Sequence, residues 1–114
     1  MELSARDKAI IKNTGKLLES PENRTVGAYA RTVEGKECPV LDSYAKCFCL
    51  SGALHRAAYQ YFFEPYDCRM LSNYLGLPKV PDRECADTAL VKAWDNADGA
   101  RQQAIVDKLL SVEV

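Results

Sequence analysis

The segment Ala45-Lys-Cys-Phe-Cys-Leu-Ser-Gly-Ala-Leu-His-Arg-Ala-Ala58 constrains the fold more than any other part of the chain. Wound as an α-helix, it puts Ala45, Phe48, Cys49, Gly52, Ala53, Arg56 and Ala57 near one face, while Leu50, Leu54 and Tyr61 continue the apolar surface round the side. A helix with so much apolar circumference has to be enclosed by other elements. Gly52 costs about 1 kcal/mol relative to alanine in a helix interior. Close approach of another backbone would offset that cost, and Ala53 and Ala57 on the same side leave room for it. The expected helix begins at Asp42 or Ser43 and runs to about Phe63, where Glu64-Pro65 stops it.

The flanking segments supply what would enclose this helix. Ser4 is placed to cap a first helix, with Asp7 three residues on completing a capping box. Ile10, Thr14, Leu17 and Leu18 then recur at helical spacing, and the helix should end near Ser20 because Pro21 follows. Pro21-Glu-Asn-Arg24 reads as a turn. Thr25 to Val33 and Lys36 to Val40 flank Glu34-Gly35, a pattern that predicts a two-stranded hairpin with Gly35 in the tight turn. Pro39 confines the second strand to an edge. Asp67 should open a short helix carrying Met70, Leu71, Tyr74 and Leu75, which Gly76 and Pro78 end. Pro78 to Asp82 reads as a loop. Asp87 to Trp94 predicts a further short helix, and Asp95 to Gly99 a turn. Asp98 should cap a last helix that buries Ala104, Ile105, Leu109 and Val112. The expected architecture is mainly α with a small β-hairpin (α+β), one compact domain over residues 1–114 around a central buried helix.

Composition narrows the function classes. With 47% hydrophobic and 27% charged residues the 114-residue chain can bury a core without cross-links. A net charge of -1, with the fifteen basic residues dispersed, argues against nucleic acid as a partner. No run of about 18 apolar residues occurs, so no membrane partner is expected. The charged N-terminal stretch lacks the apolar core of a signal peptide, which points to the cytoplasm. The Asn23-Arg24-Thr25 sequon then has no meaning. Five cysteines, an odd number, fit buried thiols in a reducing compartment better than a disulfide framework.

The candidate chemistry is sparse. Cys47 and Cys49 on one helix would point about 200° apart and could not share a metal. Cys38, Cys68 and Cys85 are isolated. Cys49 and His55, the only histidine, would lie about 9 Å apart along the helix and nearly opposite around it. His55 could reach Cys38, Cys68 or Cys85 through the fold, but no pattern marks such a pair, and the simplest reading is a histidine at a helix edge. Asp95, Asn96 and Asp98 fall short of a calcium loop, and helix capping accounts for Asp98. No Gly-rich phosphate loop, nucleophile elbow or His-Glu-x-x-His motif occurs. No catalytic residue, metal or cofactor is therefore assigned.

Tyr59, Tyr61, Phe62, Phe63 and Tyr66 cluster where the central helix should end. They cannot all face one core, so some of them offer an adhesive surface. The leading expectation is a small non-catalytic binding or regulatory protein that meets a protein partner, or a second copy in a homodimer, through these aromatics. The rival is a small enzyme or small-molecule-binding protein, with a pocket between hairpin and central helix built from Tyr29, Arg31, Cys49 and Trp94.

Three stretches carry a resemblance: Gly27-Ala-Tyr-Ala30, Phe48-Cys-Leu-Ser-Gly-Ala-Leu54 and Trp94-Asp-Asn96. Together they resemble a small bacterial and phage family known only as a domain of unknown function. That family pairs a Trp-Cys-Leu-x-Gly-Ala-Leu helix with a Trp-Asn-Asp turn. Here Phe48 stands in the position of its tryptophan, and Asp95-Asn96 inverts the order of its turn. The likeness covers about residues 5 to 110, with Cys-Leu-x-Gly-Ala-Leu its distinctive core. It implies a shared fold unit and an accessory or host-interaction role, and no reaction.

Overall fold

A capping box starts the first helix, as the sequence predicts. In the structure, a computed structural model that describes residues 3–59 and 68–113, the Ser4 hydroxyl accepts from the Asp7 amide and Asp7 returns a bond to the Ser4 N–H. Helix α1, Ala5–Leu17, follows and buries Ile10, Ile11 and Thr14. A short 3-10 turn, Pro21–Asn23, ends the connection. Arg24 then reaches back, its guanidinium donating to the carbonyls of Leu18 and Glu19 and to the Gln103 side chain. A single cation thus satisfies two orphan carbonyls at the negative end of α1.

The small sheet is antiparallel but has a different partner from the expected one. Strand β1, Ala30–Thr32, pairs with β2, Ala45–Phe48, in the register Ala30↔Phe48 and Arg31↔Cys47. Lys36 to Cys38 contribute only a bridge, Arg31↔Glu37, with the Thr32 N–H to Lys36 and Cys38 N–H to Ala30 bonds. The Gly35 turn forms as read, with φ of 88°. Pro39 and a second turn at 40–44 carry the chain on to β2. On the far side of β2, Arg24 bridges Phe48 and the Thr25 amide donates to the Phe48 carbonyl. The strand is therefore paired on both edges.

This corrects the expected start of the central helix. Residues 45–48 are strand, and helix α2 is Leu50–Ala58. Cys47 and Cys49 do not share a helix: Cys47 lies in β2 and its thiol donates to the Glu22 carbonyl, while Cys49 is the N-cap, its sulfur accepting from the Gly52 amide. The spacing of Ala45, Phe48, Cys49 and Gly52 mimics a helical face. Backbone partners on both edges override it, and Phe and Cys have little helical preference of their own to resist. The expected helix end near Phe63 and the helix start at Asp67 lie outside the described residues.

What remains of the central helix is the hub. Seven of its nine residues are buried, from Leu50 to Leu54 together with Ala57 and Ala58. It packs against α1 and against α4, Arg83–Asp95. Gly52 meets the backbone it was expected to meet: a Cβ there would lie 1.9 Å from the Tyr29 carbonyl oxygen. The same oxygen accepts from the Cys49 amide at 3.2 Å. Sheet and hub helix are thereby held at backbone contact.

Helix α3, Arg69–Tyr74, buries Met70 and Leu71. It ends at Gly76 (φ 75°), whose neighbour Leu77 donates back to Ser72. Helix α4 starts four residues earlier than its apolar pattern suggests, because Asp82 caps it by accepting from Cys85. Trp94 is fully buried, and its indole N–H donates to the Thr25 carbonyl. Asp98 caps α5, Gly99–Leu110. That helix buries Val106 and Leu109, while Ala104, expected inside, is exposed. It lies along α1, where Gly15 faces Leu109 and Leu110 and the Lys12 ammonium donates to the Leu110 carbonyl. One contiguous apolar core runs from Ile10 through Leu54, Leu71 and Leu90 to Val112. Among the described residues the fold is mainly helical with one small antiparallel sheet. None of the described helices is long and apolar enough to cross a membrane.

Candidate functional site

The hub helix sets the first two side chains of a polar cluster. Ser51 and His55 are four residues apart and share a face of α2. Helix α4 brings Asp87 against them, the residue before α3 brings Cys68, and the residue before β1 brings Tyr29. Ser51 is fully buried and donates its hydroxyl proton to Asp87 Oδ1. The Tyr29 hydroxyl donates to Asp87 Oδ2 at 2.7 Å. The Cys68 thiol donates to Asp87 Oδ1 at 3.8 Å. One carboxylate thus gathers donors from three other segments.

The imidazole is oriented as firmly. His55 Nδ1 lies 2.9 Å from the Ser51 carbonyl oxygen. A carbonyl can only accept, so Nδ1 carries the proton and the neutral ring keeps its lone pair on Nε2. That nitrogen lies 3.9 Å from the Cys68 sulfur. The Tyr29 ring meets the imidazole edge-on, with centroids 6.5 Å apart. One ligand atom from each of His55, Cys68 and Asp87 falls within 4.8 Å of the other two. Cys68 is almost wholly buried, while His55 and Asp87 are partly open to solvent.

Electrostatics at the cluster follow from the carboxylate. The Tyr29 phenol is pushed up to about 12, first by its hydrogen bond to Asp87 and then by burial. It stays a protonated donor across the physiological range. Burial pushes the Cys49 thiol up, against the opposing pull of the Gly52 and Ser51 amides. The Cys85 thiol is pushed up because it bonds to the Asp82 carboxylate. Neither is an activated thiolate.

A cleft of about 350 Å³ opens beside Tyr29, between the residues leading into β1 and helix α4. Tyr29 and Cys49 line it, together with Cys38, Glu37, Val91 and Asp95. Arg31 is not part of its wall. Its guanidinium is engaged by Thr25 Oγ1, the Gly35 carbonyl and Glu37. Trp94 lies in the core beneath. Of the aromatic cluster, Tyr59 is 47% exposed at the C-cap of α2. Tyr61, Phe62, Phe63 and Tyr66 lie outside the described residues.

Sequence reasoning singled out Tyr29, weighed Cys68 as one of three thiols that His55 could reach and set the pair aside, and gave Ser51 and Asp87 no role in a site. The i, i+4 pair of Ser51 and His55 was the one local signal. Asp87 comes from 36 residues beyond Ser51, a separation that no spacing rule bridges. Comparison with protein-family models, with curated proteins and with solved structures finds no match for the chain.

Proposed function

We propose that the protein is a small ligand-binding domain, with the capacity for enzymatic chemistry, whose centre is the junction of sheet, hub helix and α4. The observation that supports this most is Asp87. Its two oxygens are oriented by separate hydroxyls, from Ser51 and Tyr29, beside an imidazole whose lone pair is directed to the same place. Holding acceptors of this strength in fixed positions costs conformational freedom, and a bound group that uses them offsets the cost. A thermal-shift panel of divalent cations, amines, carboxylates, phosphates and thiols tests the reading on the wild type and on Asp87→Asn. One class that raises the melting temperature of the wild type but not of the variant is the expected result. A panel in which no class does so removes the reading.

A second reading is a protein-binding surface at the end of α2, supported by the half-exposed Tyr59 ring. Its first occupant would be a second copy of the chain, since an aromatic patch pairs with itself across a two-fold axis. Sedimentation of the wild type against Tyr59→Ser distinguishes the outcomes. A dimer that the substitution dissociates favours this surface, and a wild type that stays monomeric at high concentration rejects self-association.

A further inference from the structure

We infer that His55, Cys68 and Asp87 form a three-ligand site for a zinc-class divalent cation, with a coordination position left for water or a ligand. The inference rests on the reading of this junction as the binding centre and names what it binds.

Geometry comes first. Zinc bonds sulfur at about 2.3 Å and nitrogen or oxygen at about 2.0–2.2 Å, so in a tetrahedral site the donor atoms lie about 3.6 Å apart across S···N and S···O edges and about 3.4 Å across N···O. The observed separations are 3.9 Å for Cys68 Sγ to His55 Nε2 and 3.8 Å for Cys68 Sγ to Asp87 Oδ1. Two of the three edges are already within about 0.3 Å of the ideal. The third is no more than 4.8 Å, so a bound ion would draw the imidazole and the carboxylate together by at most about 1.4 Å.

The supporting shell is also present. A ligating histidine normally donates its other ring N–H to a carbonyl or carboxylate, which aims the free lone pair. His55 does this through Nδ1 to the Ser51 carbonyl. Asp87 Oδ1 has two lone pairs; Ser51 takes one and the other faces Cys68, while Oδ2 stays with Tyr29. A metal would take the place of the Cys68 contacts with Asp87 and His55, while the bonds to the Ser51 carbonyl and the Tyr29 hydroxyl use the other polar atom of each ligand.

Charge decides between a metal and a bare thiol chemistry. Without a metal, a Cys68 thiolate would sit 3.8 Å from a carboxylate and repel it. With a divalent cation between them the two anions and the ion sum to zero. The step is balanced: the cation binds sulfur as the thiol releases its proton to water. Nitrogen, sulfur and oxygen together suit zinc and exclude magnesium and calcium, which take oxygen alone. Three protein ligands leave the coordination sphere open, unlike the four of a closed structural site.

The test uses the full chain stripped of metal. Cobalt(II) titration should saturate at one equivalent and produce a thiolate-to-cobalt charge-transfer band with tetrahedral d–d absorption. Zinc should abolish both. Cys68→Ser should lose the charge-transfer band and weaken zinc binding at least about 100-fold in a chelator competition, and Tyr29→Phe should weaken it about 10-fold through Asp87. Cys47→Ser, outside the cluster, should leave both measurements unchanged. His55→Gln, near the helical shape of the original, serves as the second ligand variant should Cys68→Ser lose its native circular dichroism. Absence of the charge-transfer band in the wild type, or its persistence in a folded Cys68→Ser, overturns the inference. If another class in the ligand panel binds in an Asp87-dependent way and cobalt does not, the metal is refuted and the ligand-binding reading stands. If no class binds, both fall.

Discussion

Replacing Gly52 by alanine would set a methyl carbon 1.9 Å from the Tyr29 carbonyl oxygen and 2.8 Å from its carbonyl carbon. Ordinary contact begins at 3.4 Å, so hub helix and sheet must part by about 1.5 Å. Both neighbours are backbone, and no side chain can swing aside to absorb the shift. Overpacking of this kind costs about 1–3 kcal/mol. Loss of the Cys49 N–H to Tyr29 carbonyl bond adds about 1 kcal/mol, and the better helix propensity of alanine returns about 1 kcal/mol. The net is a loss of about 2 kcal/mol. With an unfolding entropy of roughly 2.1 cal/mol/K per residue over 114 residues, that corresponds to about 8 °C in Tm. Thermal and urea unfolding followed by circular dichroism measure it. Gly99→Ala is the control, because nothing lies within 4 Å of a Cβ at Gly99, and it should be neutral or slightly stabilising. A Gly52→Ala variant as stable as the wild type would refute the close approach.

Three further outcomes are expected. The Tyr29 phenol titrates at about 12 in the folded protein against an ordinary 10, so its protonated form contributes stability that is present below pH 10 and is lost as pH rises through about 12. The stability gap between wild type and Tyr29→Phe should accordingly shrink when urea midpoints at about pH 9 and about pH 11.5 are compared, and a gap that widens contradicts the bond to Asp87. Trp94→Phe removes the donor to the Thr25 carbonyl and leaves a void in the core; a loss of roughly 2–4 kcal/mol in chemical unfolding is expected, and a change under about 0.5 kcal/mol would mean the indole is not buried there. Asp98→Ala takes the cap from α5 and should cost about 1 kcal/mol in the same assay, with Asp98→Asn restoring most of it.

Local chemistry made much of the fold legible before any coordinates. The Ser4 and Asp98 caps, the Gly35 turn, the Gly76 stop and the backbone contact at Gly52 all depend on residues close in sequence or on one residue without a side chain. The strand at Ala45–Phe48 was not legible, because its hydrogen-bond partners at Arg24 and Ala30–Thr32 lie well upstream and its apolar spacing also satisfies a helix. The early start of α4 was hidden for a different reason, since its first turn is polar and only the Asp82 cap reveals it. At the candidate site, Tyr29 was visible as an aromatic residue at a strand edge. The cluster itself joins residues 29, 51, 55, 68 and 87, and only the packing of α2, α4 and the start of α3 beside the sheet brings them together.

Helices α1 and α5 touch along their lengths although about 95 residues separate Gly15 from Leu109 and Leu110. During synthesis the face of α1 that packs on α5 therefore stays uncovered until α5 has been made. Lys12 finds the Leu110 carbonyl only when the last turn of α5 has cleared the exit tunnel. The α1–α5 contact is therefore late to form, and chaperones that recognise unburied apolar stripes have their opportunity during that interval.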